Sequence, residues 1–160
     1  MNSSRIQRLL QSDSGQGLVE TALTASLLVL LLLAAVDFGR AFYMVVELKG
    51  AAHAGAVYGS QYPTDNTGMQ NVAKANASDL TSSTSANFNA SADWGCECSD
   101  GTNPTAESGG SCATPSCTGK NEVYYVTVTT TANYSPLVPW PGIPSTMNMS
   151  ETVQMRSANF

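Results

Sequence analysis

Residues 15–58 read GQGLVETALTASLLVLLLLAAVDFGRAFYMVVELKGAAHAGAVY, and this stretch decides the fold. Within residues 18–36 the only charged side chain is Glu20, and eleven of these nineteen residues are Leu or Val. A helix needs about 20 apolar residues to cross a bilayer, and each central Leu or Val favours insertion by about 0.3–0.6 kcal/mol. Glu20 opposes insertion by at most about 3 kcal/mol, and it lies near the end of the segment. The sequence therefore predicts a membrane-spanning helix that carries one acid.

The predicted helix continues past the apolar segment. Polar side chains return from Asp37 onward, the spacing of Asp37 and Arg40 suits an amphipathic helix, and no proline occurs before Pro63. A single helix over residues 18–58 would be about 60 Å long. We expect about half of it to stand out of the membrane as a stalk.

Composition and charge indicate how the chain is oriented and what it does not bind. The formal net charge is −5 and only 12% of the residues are charged, which argues against nucleic acid as a partner. Arg5 and Arg8 precede the apolar segment and predict a cytoplasmic N-terminus. All four cysteines follow the segment, so the C-terminal part is predicted to be exported to an oxidising compartment. A secretory signal within residues 1–33, cleaved after the apolar run, is the alternative, but the run exceeds the usual length of about 7–15 residues.

A glycine followed five residues later by a glutamate, at the start of an apolar helix, resembles the processing site of type IV pilins. The matching residues are Gly15 and Glu20. The resemblance implies that a membrane peptidase, the prepilin peptidase, cuts between Gly15 and Gln16 on the cytoplasmic side. Cleavage would remove the leader, residues 1–15, and would make Glu20 the fifth residue of the mature chain.

Further motifs narrow the resemblance to the TadE-like proteins, minor pilins (pseudopilins) of the tight-adherence (Tad/Flp) type IV pilus. They are V-E-x-A-L at residues 19–23, D-F-G-R at 37–40 and A-A-x-x-G-A at 51–56. The closing strands, V-Y-Y-V-T-V and S-E-T-V-Q-M-R, are similar as well. The resemblance implies a single-pass protein of the inner membrane that helps to initiate or assemble an adhesion pilus. Its expected partners are other pilins and the pilus-assembly machinery, and it could itself reach the extracellular pilus.

Membrane physics gives Glu20 a role that does not depend on the family. A carboxylate at membrane depth needs a partner, and after cleavage the new amino group of Gln16 is a cation about one helical turn away. We expect this pair, within one chain or between neighbours, to fix the axial register of packed helices. The alternative is that Glu20 is simply solvated at the level of the headgroups.

The four cysteines, Cys96, Cys98, Cys112 and Cys117, predict two disulfides. The pair in Cys96-x-Cys98 cannot easily bond internally, so each should reach Cys112 or Cys117, and the sequence does not choose between the two connectivities. A zinc site is the alternative, although these spacings are not a standard zinc pattern.

The rest of the chain predicts an α+β fold of pilin-like type. Residues 122–134 and 147–155 alternate as strands, one more strand is expected within 82–94, a short helix within 69–80, and a polar loop over 96–119. The sheet should be small, antiparallel and stapled by disulfides, and should pack on the glycines and alanines of residues 50–59. The predicted organisation is a leader (1–15), a transmembrane and stalk helix (16–60) and an exported domain (61–160).

No catalytic pattern is present in the sequence, so we do not expect an enzyme, a metal site or a cofactor. The single histidine, His53, has no nearby nucleophile in the sequence and predicts a packing or surface role. Two alternatives to a minor pilin remain. One is an uncleaved single-span membrane protein whose exported domain binds a ligand or scaffolds an envelope complex, and the other is a major filament subunit.

Overall fold

The structure is a computed structural model that describes residues 14–83, 86–102, 104–108, 111–112 and 117–157, excluding the side chains of residues 14, 106–108 and 111–112. Most of the predicted leader, residues 1–13, therefore lies outside the described residues. The chain divides into two compact units, the first ending at Gly39 and the second beginning at Arg40.

The first helix, α1, runs over Ser14–Gln61 and is 48 residues long. It contains the whole of the predicted helix, residues 18–58, and extends it at both ends. Continuity follows from the absence of proline within it, since a proline would remove a backbone hydrogen bond and clash with the preceding turn. The helix ends just before Pro63, in a tight turn that leads to the next helix.

Two short helices, α2 (Asn66–Asn76) and α3 (Ser78–Ser82), follow the turn. Asp65 caps α2, because its Oδ1 accepts a hydrogen bond of 2.8 Å from the N–H of Gly68. The hydroxyl of Tyr58, in α1, donates to Oδ2 of the same carboxylate at 2.7 Å. Both bonds favour the ionised form, the Gly68 bond most, and they lower the pKa of Asp65. The predicted surface helix within residues 69–80 is thus present as two pieces.

The described strands form an antiparallel sheet in the order β3-β2-β1-β4-β5. Three strands are long, namely β1 (Asn89–Cys98), β4 (Glu122–Tyr134) and β5 (Met147–Arg156), and two are short, namely β2 (Thr105–Ser108) and β3 (Ser111–Cys112). The expectation of a loop throughout residues 96–119 was wrong. Ten residues of β1 pair with β4, from Asn89 opposite Thr131 to Cys98 opposite Glu122, so pairing with a distant strand overrides the loop-like local composition.

The alternation predicted for the last two strands is confirmed. One face of β4, which carries Val126, Val128 and Thr130, is buried. On β5 the residues from Met147 to Met155 alternate between half-buried and exposed positions. Because β5 pairs only with β4, it forms one edge of the sheet, and Glu151 lies on its inner, half-buried side opposite Thr130.

The sheet packs on the small-residue part of α1, as the sequence predicted. A Cβ atom added to Gly55 would lie 2.9 Å from the backbone oxygen of Met69 in α2 and 3.1 Å from Cγ1 of Val128 in β4. Further along α1, the hydroxyl of Thr130 donates a buried hydrogen bond of 2.9 Å to the carbonyl oxygen of Leu48. Close approach at Gly55 therefore lets two elements pack on the same turn of the helix.

A disulfide joins Cys98, at the end of β1, to Cys117, with Cα atoms 5.5 Å apart. Cys96 is disulfide-bonded as well, and the side chain of Cys112 lies outside the described residues. The structure thus selects Cys117 as the partner of Cys98 from the two that the sequence allowed. It also argues against the zinc alternative, because bonded sulfurs cannot ligate a metal as thiolates.

Replacing Cys117 with Ser should destabilise the second unit and free one thiol. The disulfide spans 19 positions in sequence, and a loop of this size is worth about 3 kcal/mol in the chain-entropy model. We expect thiol titration of the unreduced variant to find one reactive group, Cys98, and limited proteolysis to cut within residues 99–116. A wild-type protein that titrates with several free thiols would contradict the assignment.

Candidate functional site

The predicted processing and assembly residues lie in the first two turns of α1. Gly15, Gln16 and Glu20 are all exposed. A Cβ atom added to Gly15 or to Gly17 would meet no described atom within 4 Å. The bond between Gly15 and Gln16 is therefore open to approach along the described part of the chain.

Glu20 follows Gln16 by four residues within the same helix. This spacing places the two residues on one face of the helix, about 6 Å apart along the axis. A backbone amine exists at Gln16 only once the preceding bond is cut. The helix thus has the geometry that the predicted pairing needs, and the pairing itself stays a prediction.

Three hydroxyl side chains follow within the apolar segment, and each bonds to the carbonyl oxygen of a preceding residue in the helix. Thr21 donates to Gly17 at 2.8 Å, Thr24 to Glu20 at 3.0 Å and Ser26 to Leu23 at 2.8 Å. Hydroxyls satisfied in this way cost little in a bilayer. The charged carboxylate of Glu20 is thus the group in this segment that opposes insertion most.

Among the described residues, α1 alone is long and apolar enough to cross a membrane, with a mean hydropathy of 2.3 in its most apolar part. None of that part is buried within the chain, and its leucines are exposed. A helix that exposes leucines on every side requires an apolar environment outside the chain. It is suited to anchor the protein in a membrane.

Sequence reasoning missed an acidic contact between α1 and the start of α3. Glu47 accepts hydrogen bonds from the backbone N–H groups of Asp79 and Leu80, yet its buried Oε2 has no hydrogen-bond partner among the described residues. Desolvation, and then the charge of Asp79, raise the pKa of Glu47. The hydroxyl of Tyr43 donates to Asp79 at 3.1 Å, and this bond raises the pKa of the phenol. The only signal in the sequence was the apolar residues around Glu47, which indicate that this side of α1 packs against another element.

An ion pair on the outer face of the sheet was also missed. Nε of Arg156, in β5, donates to Oε1 of Glu97, in β1, at 2.6 Å. The two residues are 59 positions apart, so no local signal links them. A second ion pair joins Lys120 to Asp100 and lowers the pKa of that carboxyl. Glu97 precedes Cys98 directly, and Asp100 and Lys120 lie two and three residues from the cysteines of the Cys98–Cys117 disulfide, so both pairs help to hold this end of the domain.

The described residues include no group of three or more His, Cys, Asp or Glu side chains that could hold a metal ion. His53 is exposed on α1.

Comparison with known proteins finds a family match within α1. The model of the TadE-like protein family matches residues 15–57, from the predicted cleavage site almost to the end of α1. Searches of curated proteins and of solved structures found no match. The match covers the residues that carried the resemblance in the sequence. Residues 15–57 are therefore similar to the TadE-like protein family, and the predicted resemblance is confirmed over these residues.

Proposed function

We propose that the chain is a minor pilin, or pseudopilin, that helps to initiate or assemble a tight-adherence pilus. The observation that carries the proposal is the family match over residues 15–57, which begins at Gly15 and includes Glu20. Within the match, the leucines and valines of the apolar segment, residues 18–36, are exposed. A surface of this kind can leave lipid only for another apolar surface, such as a bundle of similar helices.

In this proposal the prepilin peptidase releases the leader after Gly15 and creates a cation at Gln16. The cation and the carboxylate of Glu20 then pair, within one subunit or between neighbours, in surroundings of low dielectric. An unpaired charge there is strongly unfavourable, so helices shifted out of register are disfavoured. The pair would thus set how far each subunit sits along the filament axis.

The proposed topology has the N-terminus in the cytoplasm, α1 in the inner membrane and the second unit exported. Two observations support it, namely the basic residues Arg5 and Arg8 before the helix and the Cys98–Cys117 disulfide after it. Partners are other pilins and the assembly machinery. The role requires packing only, and we propose that this chain catalyses no reaction of its own.

Replacing Gly15 with Leu should leave the leader attached. A peptidase that cuts after a glycine must approach the backbone closely, and a leucine side chain would block that approach. Gly17→Leu is the matched control, because an added Cβ at either glycine meets no described atom within 4 Å. We expect mass spectrometry of protein extracted from membranes to find Gln16 as the first residue of the wild type and of Gly17→Leu, and Met1 retained in Gly15→Leu.

An intact Met1 in the wild type would contradict the pilin proposal. It would favour an uncleaved single-span protein with an exported ligand-binding or scaffolding domain. Cleavage of Gly15→Leu at the wild-type position would show that the cut does not depend on this glycine.

A further inference from the structure

The outer edge of β5 is long and regular. All ten residues of the strand, from Met147 to Arg156, pair in unbroken register with β4. Among the described strands, none pairs with the opposite side of β5. At about 3.4 Å per residue, this leaves about 34 Å of strand whose outward N–H and C=O groups have no partner in the sheet. The edge is long enough for a further strand to pair with it.

The usual devices that block such an edge are absent from β5. Proteins shorten an edge strand, interrupt it with a bulge, or place proline or lysine on it. β5 is ten residues long, pairs regularly with β4, and reads MNMSETVQMR, without Pro or Lys. Its basic residue, Arg156, lies at the end of the strand and donates to Glu97. Glu151, in the middle, is thus the charge that decides what can pair with this edge.

Glu151 is half-buried on the inner side of β5, between Met149 and Val153 on the same side. Within the part of the chain that the structure describes, its carboxylate has no hydrogen-bond partner and belongs to no ion pair. A strand added at this edge would cover the carboxylate further. A covered charge is unfavourable unless an opposite charge pairs with it. The added strand must therefore bring a cation to Glu151.

The other inner-side residues of β5 are apolar. They are Met147, Met149, Val153 and Met155, and all four are half-buried. Three of them pack against the core of the second unit, yet each keeps part of its surface exposed at the edge of the sheet. Methionine adapts its shape to different partners. Since every second side chain of an added strand lies beside these residues, the matching segment carries apolar side chains on both sides of its cation.

We propose that the open edge of β5 binds an extended segment of another protein, in which a Lys or Arg side chain lies beside Glu151 and apolar side chains flank it two residues away. Backbone hydrogen bonds supply affinity, and the charge pair supplies selectivity. A second copy of β5 is a poor partner, because pairing that keeps the inner sides together brings two Glu151 carboxylates close to each other. The inference rests on the second unit alone. It does not depend on cleavage after Gly15 or on packing of α1, so either proposal can fail while the other stands.

The test measures binding of synthetic peptides to the full-length protein in detergent micelles. One fluorescent peptide, VTVTKTVTV, alternates apolar and polar side chains and carries Lys at the centre of its apolar side. A second peptide, VTVTETVTV, carries Glu at that position. We expect fluorescence anisotropy to show that the wild type binds the Lys peptide at least about tenfold more tightly than the Glu peptide, because close charge pairs at an interface couple at this level or above.

A charge reversal assigns the preference to one residue. In Glu151→Lys the preference should reverse, so that the Glu peptide binds about tenfold more tightly. Glu122→Lys is the matched control, because it changes the net charge equally at an exposed position of β4 that does not pair with β5, and it should keep the wild-type preference.

A third peptide, VTVPKPVTV, tests the backbone. Its prolines cannot donate hydrogen bonds to the edge, so it should bind at least about tenfold more weakly than the Lys peptide. The proposal is overturned if the wild type binds the Lys peptide no better than the Glu peptide, or if the proline peptide binds as well as the Lys peptide. It is also overturned if the preference for Lys survives in Glu151→Lys or is lost in Glu122→Lys.

Discussion

Under the proposed function, replacing Glu20 with Leu is expected to leave the protein anchored in the membrane but to weaken its association with other pilins at least about 100-fold. The change removes the one charge in the apolar segment, so insertion should become easier by up to about 3 kcal/mol. In the assembled state it leaves the Gln16 amine without a counter-ion, and an uncompensated buried charge costs roughly 3–5 kcal/mol. Co-purification of partner subunits from detergent-solubilised membranes, and counts of pili on cells, measure the loss.

Two variants separate charge from hydrophobicity. Glu20→Gln keeps the shape of the side chain and removes its charge, and it should fail to assemble as Glu20→Leu does. Ser26→Leu makes the same helix more apolar at a position whose hydroxyl bonds only within the helix, and it should assemble normally. Partner yields at the wild-type level from Glu20→Leu, with normal pili, would support the alternative that Glu20 is solvated among headgroups.

Replacing Gly55 with Leu is expected to destabilise the second unit by about 3 kcal/mol, the upper end of the usual range for overpacking. Even the first added carbon atom would lie 2.9 Å from a backbone oxygen of α2, and that oxygen cannot rotate away as a side chain could. The larger side chain must push α2 or β4 off the helix. Trp94 belongs to the same core cluster as Ala73 and Val128, which surround Gly55, so its fluorescence during denaturant unfolding reports the change.

Gly50→Leu is the matched control on the same helix. An added Cβ there meets no described atom within 4 Å, and Gly50 is exposed. Leucine is the better helix former, so this variant should be as stable as the wild type or more stable by up to about 1 kcal/mol. Equal stabilities of Gly55→Leu and Gly50→Leu would show that the close approach at Gly55 does not hold in solution.

The sequence predicted the elements whose signals are local. Hydrophobicity and the absence of proline marked α1, and strict alternation marked β4 and β5. The second half of β1 was missed, because a run such as Gly95-Cys96 reads as a loop until its pairing with Tyr124 and Tyr125 is known. The pairing of Cys98 with Cys117 was likewise one of two choices that only the fold could separate.

The candidate site shows the same division. Gly15, Gln16 and Glu20 are neighbours in one helix, so their spacing in the sequence already contained their geometry. Two other contacts join segments that are distant in sequence, namely that of Glu47 with the start of α3 and the Arg156–Glu97 pair. The periodicity of the sequence does not predict such contacts. In the sequence, these residues appear only as isolated charges within apolar or strand-like segments. Such a charge indicates that a contact is needed, but it does not indicate which residue makes it.

The edge strand β5 affects the tendency of the protein to aggregate. Among the described strands, β5 has ten residues and pairs on one side only, and such an edge is a template on which copies of a protein can stack strand to strand into insoluble fibres. Glu151 lies in the middle of this edge on the core side, where a stacked copy would bring its own carboxylate close to the first. The charge thus discourages polymerisation through pairing of β5 edges. In the proposed function, this leaves α1 as the surface through which copies meet.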